Sequence, residues 1–360
     1  MDLALALGRR GLGRTWPNPA VGAVIVKDGV IVGRGWTQAG GRPHAEIEAL
    51  RRAGEAARSA TLYVALEPCS HQGKSPPCAD AIVAAGLSRV VSALEDPNPK
   101  VAGQGHARLR AAGIAVEIGV GADEARHDHA GHIRRMRDGR PHVTLKLAIS
   151  ADGKAGAVGR AGRQPVAITG VAVRDRVHLL RAQSDAIMVG IGTALADDPM
   201  LTCRLPGMAG YSPVRIVLDS ALRLPLGSRL ARSARDVPVW VIAGAKASPA
   251  LEEALQERGI LVLRTPDREG RLDISAVLEL IAGRGITRLM VEGGPFLAAS
   301  FVAADLVDEA ILFHSPKAIG ADGIDALDGL PLTALTQSRR LKCLMSEPVG
   351  ADTRVVFQRR

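Results

Sequence analysis

Apolar and polar positions recur along this chain with two periods, and the period changes at turn residues. "AVGAVIVKDGVIVGRG" holds two β-rich runs around Asp28-Gly29, a dipeptide suited to a tight hairpin because both positions take positive φ. "HAEIEALRRAGEAA" then places apolar residues at helical spacing. A strand over "ATLYVALEPC", a helix over "CADAIVAAGL" closed by Gly86, and a strand over "SRVVSALE" come next. A helix over "GHARLRAAGI" and a strand over "AVEIGV" follow. Strands alternating with helices predict a mostly parallel sheet covered by helices.

The texture changes at "RRMRDGRPH", which is polar and turn-rich, before a new strand "VTLKLAIS". The domain boundary is therefore expected between residues 140 and 141, giving domains over 1–140 and 141–360. The second part alternates again: a helix over "VAVRDRVHLLRAQ", strands over "DAIMVGIGT", "PVRIVLDS", "PVWVIAG", "ILVLRT" and "RLMVEGG", and a helix over "DISAVLELIAGRG". "DEAILFHSPKAIG" begins with a strand, "TRVVFQRR" ends the chain with another, and no internal repeat interrupts the pattern.

Composition narrows the classes. At 360 residues and 47% apolar content the chain affords two cores. A net charge of +9 suits anionic partners, whereas aromatic residues at 2% argue against stacking platforms for single-stranded nucleic acid. Four cysteines, Cys69, Cys78, Cys203 and Cys343, are too few for a disulfide framework at this size. "MDLALALGRRGLG" lacks the basic start and cleavage site of a signal peptide, and no apolar run reaches the ~18 residues that span a bilayer. A reducing cytoplasm, no membrane and no nucleic-acid partner are the expectations.

Chemistry enters at "RPHAEIEAL" and "LEPCSHQGKSPPCAD". His44 precedes Glu46 at a helix start, and Cys69 and Cys78 bracket a loop rich in proline. One histidine and two cysteines suit zinc with a fourth position left open for water. Glu46 lies two residues from His44, so the two do not share a helical face, and Glu46 reads as a proton shuttle rather than a ligand. A further cluster, His127, His129 and His132 in "RHDHAGHIRR", matches no catalytic ligand set and is read as a solvated helix.

His-x-Glu followed by Pro-Cys-x8-Cys resembles the zinc-dependent cytidine and nucleotide deaminase superfamily. The long cysteine spacing and "WPNPAVGAVIV" resemble the deaminase domain of the bifunctional riboflavin-biosynthesis deaminase/reductases. The resemblance implies that Asn18 hydrogen-bonds the pyrimidine ring and that His71 and Lys74 contact the substrate phosphate and ribose. "LRAQSDAIMVGIGTALADDPMLTCR" and "VEGGPFLAASF" resemble the NADPH-dependent reductase domain of the same family, although neither carries a dinucleotide fingerprint. Together they imply an α/β chain: an N-terminal cytidine-deaminase-like three-layer domain plus a C-terminal dihydrofolate-reductase-like domain.

Carried over residue by residue, Ala148, Thr193, Asp197 and Ser220 become cofactor contacts. So do Gly294, Pro295, Phe296, Leu297, Ala298, Ala299 and Ser300. Lys146, Arg181, Leu201, Arg204 and Glu292 become substrate contacts, and a guanidinium fork suits a phosphate. Where many members carry Ser-x-Trp-Ile-Thr, this chain has Pro165 and Ala167 in place of the serine and tryptophan, with Ile168 and Thr169 kept. The implied function is zinc-dependent deamination of diaminohydroxyphosphoribosylaminopyrimidine, then NADPH-dependent reduction of the ribosyl group of 5-amino-6-(5-phosphoribosylamino)uracil. A homo-oligomer acting on a phosphorylated pyrimidine is expected. Two rival readings are a nucleic-acid-acting zinc deaminase with a basic binding module, and a deaminase with a non-catalytic second domain.

Overall fold

In the computed structural model, which describes residues 1–73, 75–157, 167–268 and 270–360, the chain forms two compact units. One comprises Met1–Arg140 with Arg284–Thr287, the other Pro141–Gly283 with Arg288–Arg360.

The first unit is built on a hairpin. Asp28 and Gly29, at φ 50° and 77°, turn the chain between β1 (Gly22–Lys27) and β2 (Val30–Trp36). Around it run α1 (Asp2–Arg9), α2 (Ala45–Ala53), β3 (Thr61–Val64), α3 (Cys78–Ala84), β4 (Arg89–Ser92) and α4 (Gln104–Ala111). Then come β5 (Ala115–Ile118), α5 (Ala122–Asp128) and α6 (Ala130–Asp138). The sheet order is β2-β1-β3-β4-β5. Strand alternation explains why both faces are covered. Ala23, Ile25, Leu62 and Val64 pack with Ala49, Ile82 and Leu109 of the helices on one face, and Val24, Val26 and Tyr63 pack with Ala4 and Leu7 of α1 on the other.

Two expectations are corrected here. The first sheet is mixed, not mostly parallel: β1 pairs antiparallel with both β2 and β3, and only β3-β4 and β4-β5 are parallel. A two-residue turn leaves its strands no other choice. The histidine-rich segment is not a solvated helix either. His129 and His132 are buried, and His132 Nε2 lies 2.8 Å from Asp96 Oδ1; His127 alone of the three is exposed.

Glu67 ties this unit's loops together. Its side chain is buried and accepts four backbone N–H groups, from Asp96 (3.0 Å) and Gly103 (2.9 Å) on Oε2 and from Gly105 (2.9 Å) and His106 (3.1 Å) on Oε1. Residues 96–106 are thereby held against Glu67 and Pro68. A Cβ on Gly105 would sit 2.0 Å from the Pro68 carbonyl oxygen, so that approach requires glycine. Glu67→Gln turns one acceptor oxygen into a donor facing backbone N–H groups. It is expected to cost about 2–3 kcal/mol and lower the first thermal transition by roughly 5–10 °C, read by calorimetry.

The second unit contains β6 (His142–Ile149), β7 (Lys154–Ala157), α7 (Val171–Ala182), β8 (Ala186–Gly190), α8 (Ile191–Asp197) and β9 (Val214–Leu218). It continues with α9 (Arg229–Arg232), β10 (Val239–Gly244), α10 (Pro249–Glu257), β11 (Leu261–Thr265), β12 (Asp267–Arg268), β13 (Arg271–Leu272) and α11 (Ile274–Gly283). It closes with β14 (Arg288–Val291), α12 (Pro295–Ala303), β15 (Glu309–His314), β16 (Gly323–Asp325), α13 (Thr333–Thr336), β17 (Leu341–Val349) and β18 (Asp352–Arg359). The large sheet runs β11-β10-β9-β8-β14-β6-β15-β18-β17 and is parallel from β11 to β15, with an antiparallel edge. Among the described residues no helix is long and apolar enough to cross a membrane.

Candidate functional site

Three side chains far apart in sequence converge in the first unit. His44 is the N-cap of α2, Cys78 opens α3, and Cys69 sits in the loop beyond the end of β3. His44 Nδ1 lies 3.6 Å from Cys69 Sγ and 3.3 Å from Cys78 Sγ, and the three atoms all lie within 4.8 Å of one another. Ligands on a tetrahedral zinc at ordinary bond lengths stand roughly 3.5 Å (N to S) and about 3.8 Å (S to S) apart. The spacing and the donor set both fit zinc. A second group, Glu67, Glu95 and His106, is equally close together. There the four N–H groups already on Glu67 leave its oxygens little for a cation.

The Cys69 thiol is lowered to about 4, first by a hydrogen bond from Cys78, with help from His44 and the Cys78 N–H; burial opposes this. Cys78 is correspondingly pushed well up, by that same bond and then by burial. Glu46, on the first turn of α2, is buried, and burial raises its carboxyl, with the Cys69 charge adding to the effect. A carboxyl that readily takes a proton thus sits beside the cluster. Asn18 Nδ2 donates to the Gly41 carbonyl at 2.8 Å and lies 3.4 Å from His44 Nε2, on the side of the ring away from the sulfurs. His71 is exposed in the intervening loop; Lys74 lies outside the described residues. Arg42, which the pattern reading missed, donates to Ser75 Oγ at 2.7 Å and braces that loop.

In the second unit a cavity of about 1410 Å³ opens at the C-terminal ends of β6, β8, β9 and β14. That exceeds the usual ~300–1,000 Å³ of a single small-ligand site and leaves room for a dinucleotide beside another molecule. Glu292 is its hub: Lys146 Nζ donates at 3.3 Å and Arg181 Nε at 3.0 Å. Burial alone would raise the Glu292 carboxyl, but Arg181 and Lys146 hold it below the ordinary range. Arg204 lines the same wall. Burial, then repulsion from Arg181, pushes its guanidinium down. One carboxylate against three cations leaves net positive charge for an anion.

Two further residues there escaped the sequence reading. Arg174 and His178 stand with Arg181 along one stripe of α7, and the Arg204 N–H donates to His178 Nδ1 at 3.3 Å. Their spacing of three and four was the available signal. Ala148, Thr193, Asp197 and Ser220 line the cavity, as do Gly294, Pro295, Phe296, Leu297 and Ser300. Ala298 and Ala299 face the core of the unit instead, and Leu201, at φ 55°, packs with Ile187 and Val217 rather than on the cavity wall. The Gly294 N–H is already bonded to Thr193 Oγ1 at 2.9 Å. Ala167, Ile168 and Thr169 line the wall; Pro165 lies outside the described residues.

Comparison with known proteins agrees with both halves. Residues 1–94 match the cytidine and deoxycytidylate deaminase zinc-binding region, and residues 141–355 match the RibD C-terminal domain. The riboflavin biosynthesis protein RibD of Escherichia coli is 43% identical, over 98% of this chain and 96% of its own. This chain belongs to the RibD family. RibD of Aquifex aeolicus is 39% identical over 100% of this chain and 97% of its own. Acinetobacter baumannii RibD superposes with a TM-score of 0.86 at 35% identity, covering 100% of this chain and 97% of that one. The deaminase/reductase of Thermotoga maritima gives 0.85 at 34%, with the same coverage. As a RibD, the chain is a bifunctional riboflavin-biosynthesis enzyme. It joins a cytidine-deaminase-like zinc-binding domain to a dihydrofolate-reductase-like domain, uses zinc and NADPH, and takes phosphorylated pyrimidine substrates.

Proposed function

We propose that residues 1–140 deaminate diaminohydroxyphosphoribosylaminopyrimidine and that residues 141–360 reduce the ribosyl group of the resulting 5-amino-6-(5-phosphoribosylamino)uracil to ribityl. The convergence of His44, Cys69 and Cys78 beside buried Glu46 carries the first assignment. Zinc held by those three residues supplies Lewis-acid activation of water. Glu46 takes one proton from the water to the ring nitrogen, then carries the second, from the hydroxyl left on the ring carbon, to the amine, which departs as ammonia as the carbonyl forms. Asn18 orients the pyrimidine, and His71 and Lys74 hold its phosphate and ribose.

In the second domain NADPH supplies the hydride for C1 of the ribosyl group. Arg181 and Arg204 bind the substrate phosphate, Lys146 and Glu292 orient the sugar, and Leu201 contributes through its backbone turn. Thr193 and the start of α12 seat the cofactor with Ala148, Asp197 and Ser220, and Ala298 and Ala299 support that helix from behind. The same reading makes the enzyme cytoplasmic and homo-oligomeric, acting on neither nucleic acid nor membrane; aromatic residues at 2% support the exclusion of stacked nucleic acid.

The test is a coupled time course on the zinc-loaded full chain. Each mole of pyrimidine should release one mole of ammonia and then consume one mole of NADPH. Ammonia release without NADPH oxidation, on intermediate supplied in excess, would sink the reductase assignment.

A further inference from the structure

Arg204 lines the cavity of the second unit, yet nothing holds it at its charged end. Glu292, the nearby carboxylate, is engaged by Lys146 and Arg181. Among the described residues no carboxylate forms an ion pair with Arg204. Its aim must therefore come from the main chain beneath it, and three bonds fix that segment. The Thr202 carbonyl accepts Arg181 Nη1 at 3.1 Å, and the Cys203 N–H donates to Ser212 Oγ at 3.1 Å. The third acts on Arg204 itself, whose N–H donates to His178 Nδ1 at 3.3 Å.

That third bond needs an uncharged ring. A protonated imidazole donates from both nitrogens and has no acceptor to offer, so Nδ1 accepts only when the ring proton is on Nε2. The surroundings favour this state. His178 is 5% exposed, and burial, followed by the charges of Arg181 and Arg204, pushes it below the ordinary histidine range, with Glu292 working the other way. Arg174 stands one turn earlier on the same stripe of α7. A ring kept neutral among three guanidinium groups is a poor proton donor and a dependable acceptor.

We propose that His178 is a positioning residue of the reductase: its neutral ring fixes the main chain at Arg204 and so aims that guanidinium at the substrate phosphate. This inference rests on the reading of Arg204 as a phosphate ligand. A guanidinium fork meets two phosphate oxygens in one orientation, so a small turn of residues 202–204 weakens substrate binding. His178 acts through Arg204 rather than on the reacting carbon, so the hydride step is untouched.

The test is a set of variants of the full chain, followed by NADPH oxidation on supplied 5-amino-6-(5-phosphoribosylamino)uracil. Arg204→Ala should raise the KM for this substrate about 10–100-fold. His178→Leu should raise it roughly 10-fold or more, with kcat and the KM for NADPH within about twofold of the unmodified chain. His178→Asn carries its Oδ1 on the same Cγ as the lost Nδ1 and should restore the KM to within about threefold. The double variant should stay within about twofold of Arg204→Ala alone, since no guanidinium is left to aim. Should His178→Leu not fold, His178→Ala removes the same acceptor without added bulk and carries the same expectation. An unchanged KM on losing the acceptor, equal damage to kcat or to the KM for NADPH, no rescue by His178→Asn, or losses that multiply in the double variant each overturn the role of His178. An unchanged KM in Arg204→Ala overturns the phosphate reading itself.

Discussion

Cys78→Ser is expected to remove zinc and ammonia release together while leaving NADPH oxidation on supplied intermediate intact. The substitution keeps the size of the side chain and removes one of the three donors that lie within 4.8 Å of one another. A serine hydroxyl is a poor zinc donor near neutral pH, because the metal needs a deprotonated ligand. With two protein ligands left, zinc measured by atomic absorption should fall from about one per chain to below ~0.1 after dialysis. Deamination should fall by at least ~100-fold, since the activated water is lost with the metal. The cavity at Lys146 and Glu292 belongs to the other compact unit, so its chemistry has no need of the ion. The pair of readouts is what makes the experiment decisive. Loss of both activities at once would indicate unfolding of the whole chain, and full zinc with no deamination would remove Cys78 from the ligand set.

Much of this site was legible because its signals are local. His44 and Cys78 each sit at a helix start, where apolar spacing announces the element, and the Asp28-Gly29 turn announces the hairpin beneath them. What stayed hidden depends on partners distant in sequence. His132 is buried against Asp96, 36 residues earlier, and no pattern around "AGHIRR" records that pairing. Glu67 reads as an ordinary acidic residue until four backbone N–H groups from residues 96–106 are seen to converge on it. The mixed character of the first sheet follows from one tight turn outweighing the βα alternation after it. Strand β17 was missed for a different reason. Most of its side chains are exposed and it contains Pro348, features of an edge strand that blur the apolar alternation on which strand recognition depends. In the second unit the basic stripe of α7 was only half seen, because Arg174 and His178 gain meaning from Arg204, distant in sequence, whose N–H bonds His178 Nδ1.

Glu46→Gln should separate the proton shuttle from the metal. Glutamine matches glutamate in size and can occupy the same buried position on α2, but it cannot carry a proton from water to the leaving amine. Zinc content should therefore remain about one per chain, since Glu46 is not among the three converging donors. Ammonia release should drop by roughly 10²–10⁴-fold, the range general acid–base groups contribute, with kcat affected far more than KM. The amide fills the same buried space at the start of α2, so the first thermal transition should move little. If zinc instead leaves in proportion to activity, Glu46 is holding the metal or its ligands, and the proton must travel by another group. If activity survives within about tenfold, the shuttle lies elsewhere, because an amide in that place has no proton chemistry to offer at neutral pH.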